Sequence, residues 1–113
     1  MAFKSISGSI VSGQTTSNAI LLNELWAWGI QTGSNVTATT LSFLGSSDNV
    51  NFVPVYNKDS TEVTLTSTSG SYKGFTLNPA DFVPYNWLKV RGGTAASAVA
   101  QQSVTTFFTI SAR

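Results

Sequence analysis

Cysteine and histidine are both absent from this chain of 113 residues. Without cysteine there is no disulfide, no thiolate nucleophile and no cysteine metal site. Without histidine the usual zinc sites, the Ser-His-Asp arrangement and the side chain that titrates near neutrality are also gone. Charge is scarce as well: charged residues make up 10% of the chain and the formal net charge is +1. The six basic residues, Lys4, Lys58, Lys73, Lys89, Arg91 and Arg113, are scattered. They form no stripe of the kind that neutralises a phosphate backbone, so nucleic acid is not an expected partner.

Long apolar runs are missing too. The first residues, MAFKSISGSIVSG, contain no continuous apolar segment of the secretory kind. The most apolar stretch, AILLNELWAWGI at 19–30, is interrupted by Asn23 and Glu24 and is too short to span a bilayer. The expectation is a soluble protein made in the cytoplasm, with no membrane partner. What is present is 42% hydrophobic residues and a large share of Ser and Thr. This suits one domain over 1–113 with a real core and a hydroxyl-rich surface.

The hydrophobic pattern is that of strands joined by turns. From Ile20 to Ile30, positions 20, 22, 26, 28 and 30 are apolar at period 2, broken by Glu24, and Leu21, Leu25 and Ala27 fill the other face. A helix is the other reading of these residues, but the tryptophans and the Gly29 stop favour a strand, covered on both faces. Residues 35–44 place Leu41 and Phe43 on one face and Thr40 and Ser42 on the other. Residues 51–56 make a short strand that Pro54 confines to an edge or a bulge. Residues 62–66 put Val63 and Leu65 inward. A strand over 71–77 follows a turn at Ser69-Gly70. Strands over 87–91 and 104–112 close the series, the last with Val104, Thr106, Phe108 and Ile110 on one face. LNPADFVP is the single helical signal: Asn78 caps one turn, Pro79 occupies its first position, and Pro84 stops it. About eight short strands and one helical turn near 78–83 predict an all-β fold, a single antiparallel β-sandwich of jelly-roll-like form. Residues 1–12 read as an N-terminal arm or edge strand, and 92–102 as an exposed loop or contact arm.

Each polar cluster has a chemical and a structural reading. GSSDNVNFVPVY at 45–56 offers Asp48, Asn49 and Asn51 as oxygen donors, but with one carboxylate and without the spacing of a calcium loop. It reads as a turn, since Asp and Asn bond their own backbone and tolerate left-handed dihedrals. Phe52 and Tyr56 then share a strand face, and at least one is expected in the core. No metal site and no cofactor are expected. The acids are Glu24, Asp48, Asp59, Glu62 and Asp81. A glycosidase needs two across a cleft, but NKDSTE reads as a solvated hairpin tip. Glu24, interrupting an apolar series, is either an edge or ion-paired residue or a partly buried acid, the first being favoured. Trp26 and Trp28 suit the core first, a protein interface second and a sugar face third. Trp87, Lys89 and Arg91 on one strand face make the best external patch.

Three local patterns carry a resemblance. They are G-S-x-D-x-x-x-F-x-P at 45–54, L-x-P-x-x-F at 77–82 and K-x-R-x-G-T at 89–94. With the final alternating strand, the chain from about Leu41 onward resembles small β-sandwich structural proteins of tailed bacteriophages, of the capsid decoration or cement type. Asn49-Val50 stands where that pattern often has Asp-Gly. The resemblance implies a non-enzymatic virion protein on the capsid surface, synthesised in the host cytoplasm. It would bind the major capsid protein between capsomers as a homo-oligomer, a trimer being favoured, with affinity from repeated contacts. The alternative is a tail or baseplate component or a glycan-binding β-sandwich module. Contact residues expected on this reading are Phe3, Ile6 and Ile10 in the N-terminal segment, Trp87, Lys89 and Arg91 on the penultimate strand, and Ala95 and Val99 in the loop. The N-terminal segment would add to a neighbour's sheet edge.

Overall fold

The computed structural model describes residues 3–67, 72–102 and 104–113. Among them the chain forms nine strands: β1 (Lys4–Ile10), β2 (Ile20–Leu21), β3 (Ala27–Thr32), β4 (Thr40–Ser46), β5 (Val53–Pro54), β6 (Thr64–Thr66), β7 (Lys73–Thr76), β8 (Trp87–Gly92) and β9 (Thr106–Ala112). One 3-10 turn, Pro79–Phe82, precedes β8, with the Asn78 side chain accepting from the Ala80 N–H as its cap. The expected turn at Ser69-Gly70 lies outside the described residues.

Two antiparallel sheets face each other. One has the order β1-β9-β3-β7; the other has β2-β8-β4-β5, with β6 also on β4. The pairs β1·β9, β2·β8, β3·β7 and β4 with β5 and β6 are those of one long antiparallel hairpin. The further pairs β3·β9 and β4·β8 roll that hairpin into two layers. This is the jelly-roll form of the all-β sandwich.

Alternation along the strands fills the space between the layers. Leu41 and Phe43 of β4, Leu88 and Val90 of β8, and Phe108, Ile110 and Ala112 of β9 are all buried. Ile110 stands opposite Ile6 on one side and Ile30 on the other, locking three strands in register. Phe82, from the 3-10 turn, meets Phe43 edge to face at 5.1 Å. Full burial of such a ring contributes about 2–3 kcal/mol. A Cβ on Gly8 would lie 2.4 Å from the Phe108 ring, so only glycine lets β1 close over that side chain.

Two expectations need correction. Residues 20–30 are not one strand covered on both faces. Asn23 and Glu24 have φ of 54° and 67°, a left-handed pair that carries the chain from the β2 sheet to the β3 sheet. A register irregularity between Ala27 and Gly29 then turns Trp28 outward. Trp26 and Trp28 are consequently 51% and 42% exposed, and the core is filled by Ile20, Leu22, Ala27 and Ile30 instead. In the 51–56 segment the core residue is Val55, whereas Phe52 is half-buried and Tyr56 is exposed. The Val55 N–H donates to the Phe43 carbonyl, which sets Val55 inward and leaves Phe52 and Tyr56 out of the core.

Candidate functional site

The penultimate strand shows how much of the expected patch is available. Trp87, Lys89 and Arg91 do share the outer side of β8, opposite Ser46, Leu44 and Ser42. Arg91 is nonetheless only 8% exposed. Its Nε donates to Ser42 Oγ at 2.9 Å and its Nη2 to Glu62 Oε2 at 2.8 Å, and the same carboxylate oxygen accepts the Ala95 N–H at 2.9 Å. Glu62 therefore does not belong to a solvated tip. It closes the outer side of the sheet over Arg91 and anchors the following loop. Lys89 lies 4.4 Å over the Phe52 ring, a cation–π contact that holds both half-buried.

At the N-terminal segment, Phe3 is exposed beneath the Arg113 guanidinium, 5.5 Å from its ring centroid. Ile6 packs against the core and Ile10 is buried within it, so Ile10 serves this chain's own interior. Ala95 and Val99 are exposed on a loop pinned by the Gly93–Ala98 bridge and by the Val99 N–H on the Gly92 carbonyl. The expected contact residues thus fall on separate regions of the surface, with Arg91 and Ile10 withdrawn from it.

The Asp48 stretch is a self-bonded turn. The Asp48 carboxylate accepts from the N–H groups of Asn51 and Val50, from Ser46 Oγ and from the Asn51 side chain. These donors, the Asn51 N–H first, hold its pKa well below the usual carboxylate range. Asn49 sits at φ 61°, the left-handed conformation that its residue type tolerates.

A different region gathers chemistry. Glu24, exposed at the left-handed turn, lines a cleft of about 370 Å³ together with Trp26, Ser47, Tyr85 and Asn86. It is not a buried acid. Asn86 organises the wall. Its side-chain carbonyl accepts the Glu24 N–H at 3.0 Å, its backbone carbonyl accepts the Leu22 N–H, and its own N–H donates to the Ser46 carbonyl. Tyr85 lies flat over Gly45, where a Cβ would come 2.4 Å from its ring. Trp26 stacks on Trp28 at 6.5 Å with 23° between the planes. On the other side of Tyr85 and Pro84, a second cleft of about 360 Å³ is lined by Tyr56, Asn57, Lys58, Asp59, Asn78 and Asp81. Glu24 and Trp26 stand out in the sequence for separate reasons. Tyr85 and Asn86 carry no signal there, because only the two-layer fold brings 22–26 beside 83–86.

The fold and this surface define a small antiparallel β-sandwich of jelly-roll topology. No protein-family model and no curated protein matches the chain. Among solved structures it is similar to that of the SPBc2 prophage-derived protein YomS, with a TM-score of 0.56 and 10% sequence identity, covering 100% of this chain and 96% of that one. At this identity the likeness is one of fold.

Proposed function

We propose that this protein is a non-enzymatic structural component of a bacteriophage particle, a decoration protein that binds the outer capsid between capsomers as an oligomer, with a trimer favoured. The observation that carries the reading is the end-to-end similarity of fold to a prophage-derived protein. It joins the resemblance of the 45–54, 77–82 and 89–94 patterns to phage β-sandwich proteins.

The surface suits attachment by area. On the outer side of the β1-β9-β3-β7 sheet lie Ser5, Ser7, Phe107, Thr109, Ser111 and Trp28, uncharged side chains with two exposed aromatics among hydroxyls. Such a face is desolvated at low cost and gains from aromatic contact. β1 forms the edge of this sheet. Asn18 already occupies the Ser9 edge groups, accepting the Ser9 N–H at 3.0 Å and donating to its carbonyl at 3.4 Å. Ser5 and Ser7, on the same side of the strand, are the positions for a neighbour's strand to pair with. Trp87, Lys89 and the Ala95–Val99 loop remain as contacts for the major capsid protein.

Light scattering of the purified protein, together with binding to capsids stripped of their surface proteins, tests the assignment. Oligomers that rebind are expected, whereas a strict monomer that leaves the capsids bare removes the proposal. Labelling of intact particles that decorates the tail instead of the head would move the protein to the tail or baseplate.

A further inference from the structure

We propose that the two clefts flanking Tyr85 form one binding site for a neutral oligosaccharide. This inference rests on the clefts themselves and not on the particle assignment. The aromatic surfaces come first. Trp26 and Tyr56 are about half exposed, one in each cleft, and the stack on Trp28 fixes the plane of the Trp26 indole. A held aromatic face, with its negative quadrupole outward, suits the C–H groups on the apolar face of a pyranose ring.

The polar groups then select hydroxyls. Asn86, Asn78 and Asn57 each use the side-chain carbonyl on backbone N–H groups: of Glu24 at 3.0 Å, of Ala80 at 3.2 Å, and of Asp59 and Thr61 at 2.9 and 3.0 Å. Their amide NH2 groups have no partner among the described residues and are available as donors. The carboxylates of Glu24 and Asp81 are likewise available as acceptors. A sugar hydroxyl both donates and accepts, so vicinal hydroxyls match this alternation of amide and carboxylate. An anion would meet Glu24, Asp59 and Asp81, with only Lys58 to offset them, and Lys58 is already 3.3 Å from Asp59. A cation would leave the three amide donors unused.

Size and rigidity complete the case. Each cleft exceeds the roughly 300 Å³ at which ligand pockets begin. Because they share Pro84 and Tyr85, they accommodate a run of sugar rings rather than a single one. Tyr85 is held over Gly45 and Asn86 makes three bonds, two to the 22–24 turn and one to β4, so little ordering is required on binding.

The test uses an array of neutral oligosaccharides, then titration of maltotriose, cellotriose, chitotriose and xylotriose by calorimetry and tryptophan fluorescence. At least one is expected to bind, with affinity reduced at least about tenfold in Trp26→Ala and in Glu24→Gln and unchanged in Trp87→Ala. Trp26 is exposed, so its truncation leaves the core intact. Three results overturn the proposal: no binding on the array or in titration, binding that survives both cleft substitutions, or Trp26-dependent binding of an arginine-rich peptide in place of any saccharide.

Discussion

Arg91 and Glu62 show what a single pair of charges does in a chain that has so few. Their side chains are 9% and 15% exposed, 2.8 Å apart, and Ser42 and Ala95 satisfy further groups around them. Removing one partner strands the other in a site largely closed to water. Arg91→Met is therefore expected to lower unfolding free energy by about 3 kcal/mol, whereas the double change Arg91→Met with Glu62→Leu should cost less than that single substitution. Urea unfolding of the three proteins checks this, and a double variant less stable than Arg91→Met would refute it. Asp48 gives a second prediction. Its folded pKa lies below the ordinary 3.8, so its stabilising contribution is full above that value and is lost as pH falls toward the folded pKa. The melting-temperature gap between wild type and Asp48→Ala should hold steady from neutral pH down to about pH 5 and narrow below about pH 4. A gap that is flat across the whole range would show that the turn does not depend on the ionised form.

Elements were legible where alternation was uninterrupted. β8, most of β9 and the Asn78-capped turn follow from period-2 patterning and from the Asn-Pro start. The strand expected over 35–44 begins only at Thr40, Asn35 being left-handed at φ 66°, and Val104, expected inward, is exposed ahead of β9. The 20–30 stretch misleads because two apolar strand ends flank a turn made of Asn and Glu, with neither Gly nor Pro to mark it, and Glu has no preference for the left-handed φ that it adopts. Val55 against Phe52 and Tyr56 was a choice between two faces. It was decided by pairing with Phe43, a contact that local sequence does not contain. The clefts were legible only as isolated residues, Glu24 and Trp26, since Tyr85 and Asn86 join them across the fold. The same tertiary dependence makes the glycines unequal. Gly45→Ala drives a methyl group into the Tyr85 ring and is expected to cost about 1–3 kcal/mol. In Gly74, on edge strand β7, the nearest atom to a new Cβ is Gln31 Cγ at 3.9 Å, and Gly74→Ala should be neutral or slightly stabilising. Thermal melts of both variants decide it; equal losses would mean that Tyr85 can move aside.

For the whole molecule, the rolled hairpin joins the two ends of the chain. Seven consecutive positions pair β1 with β9, from Lys4 with Ala112 to Ile10 with Thr106, and Phe3 lies against Arg113. The strand pair farthest apart in sequence must therefore form across nearly the full chain, which slows folding because loop closure precedes any gain from contact. At the opposite end of the hairpin, Lys58 and Asp59 form an exposed turn held by the Asn57 side chain, followed by the Tyr56–Glu62 bridge. A circular permutant that joins the ends through a short Gly/Ser linker and opens between Lys58 and Asp59 exchanges the two situations. The seven β1·β9 pairs become a local hairpin and the five β3·β9 pairs also come closer in sequence, whereas the Tyr56–Glu62 bridge and the three β4·β6 pairs become distant. Such a permutant should keep the far-ultraviolet spectrum of the parent and refold faster by about tenfold in stopped-flow mixing from urea. Slower refolding with the same final spectrum would place the tip, and not the closure of the ends, in the rate-limiting step.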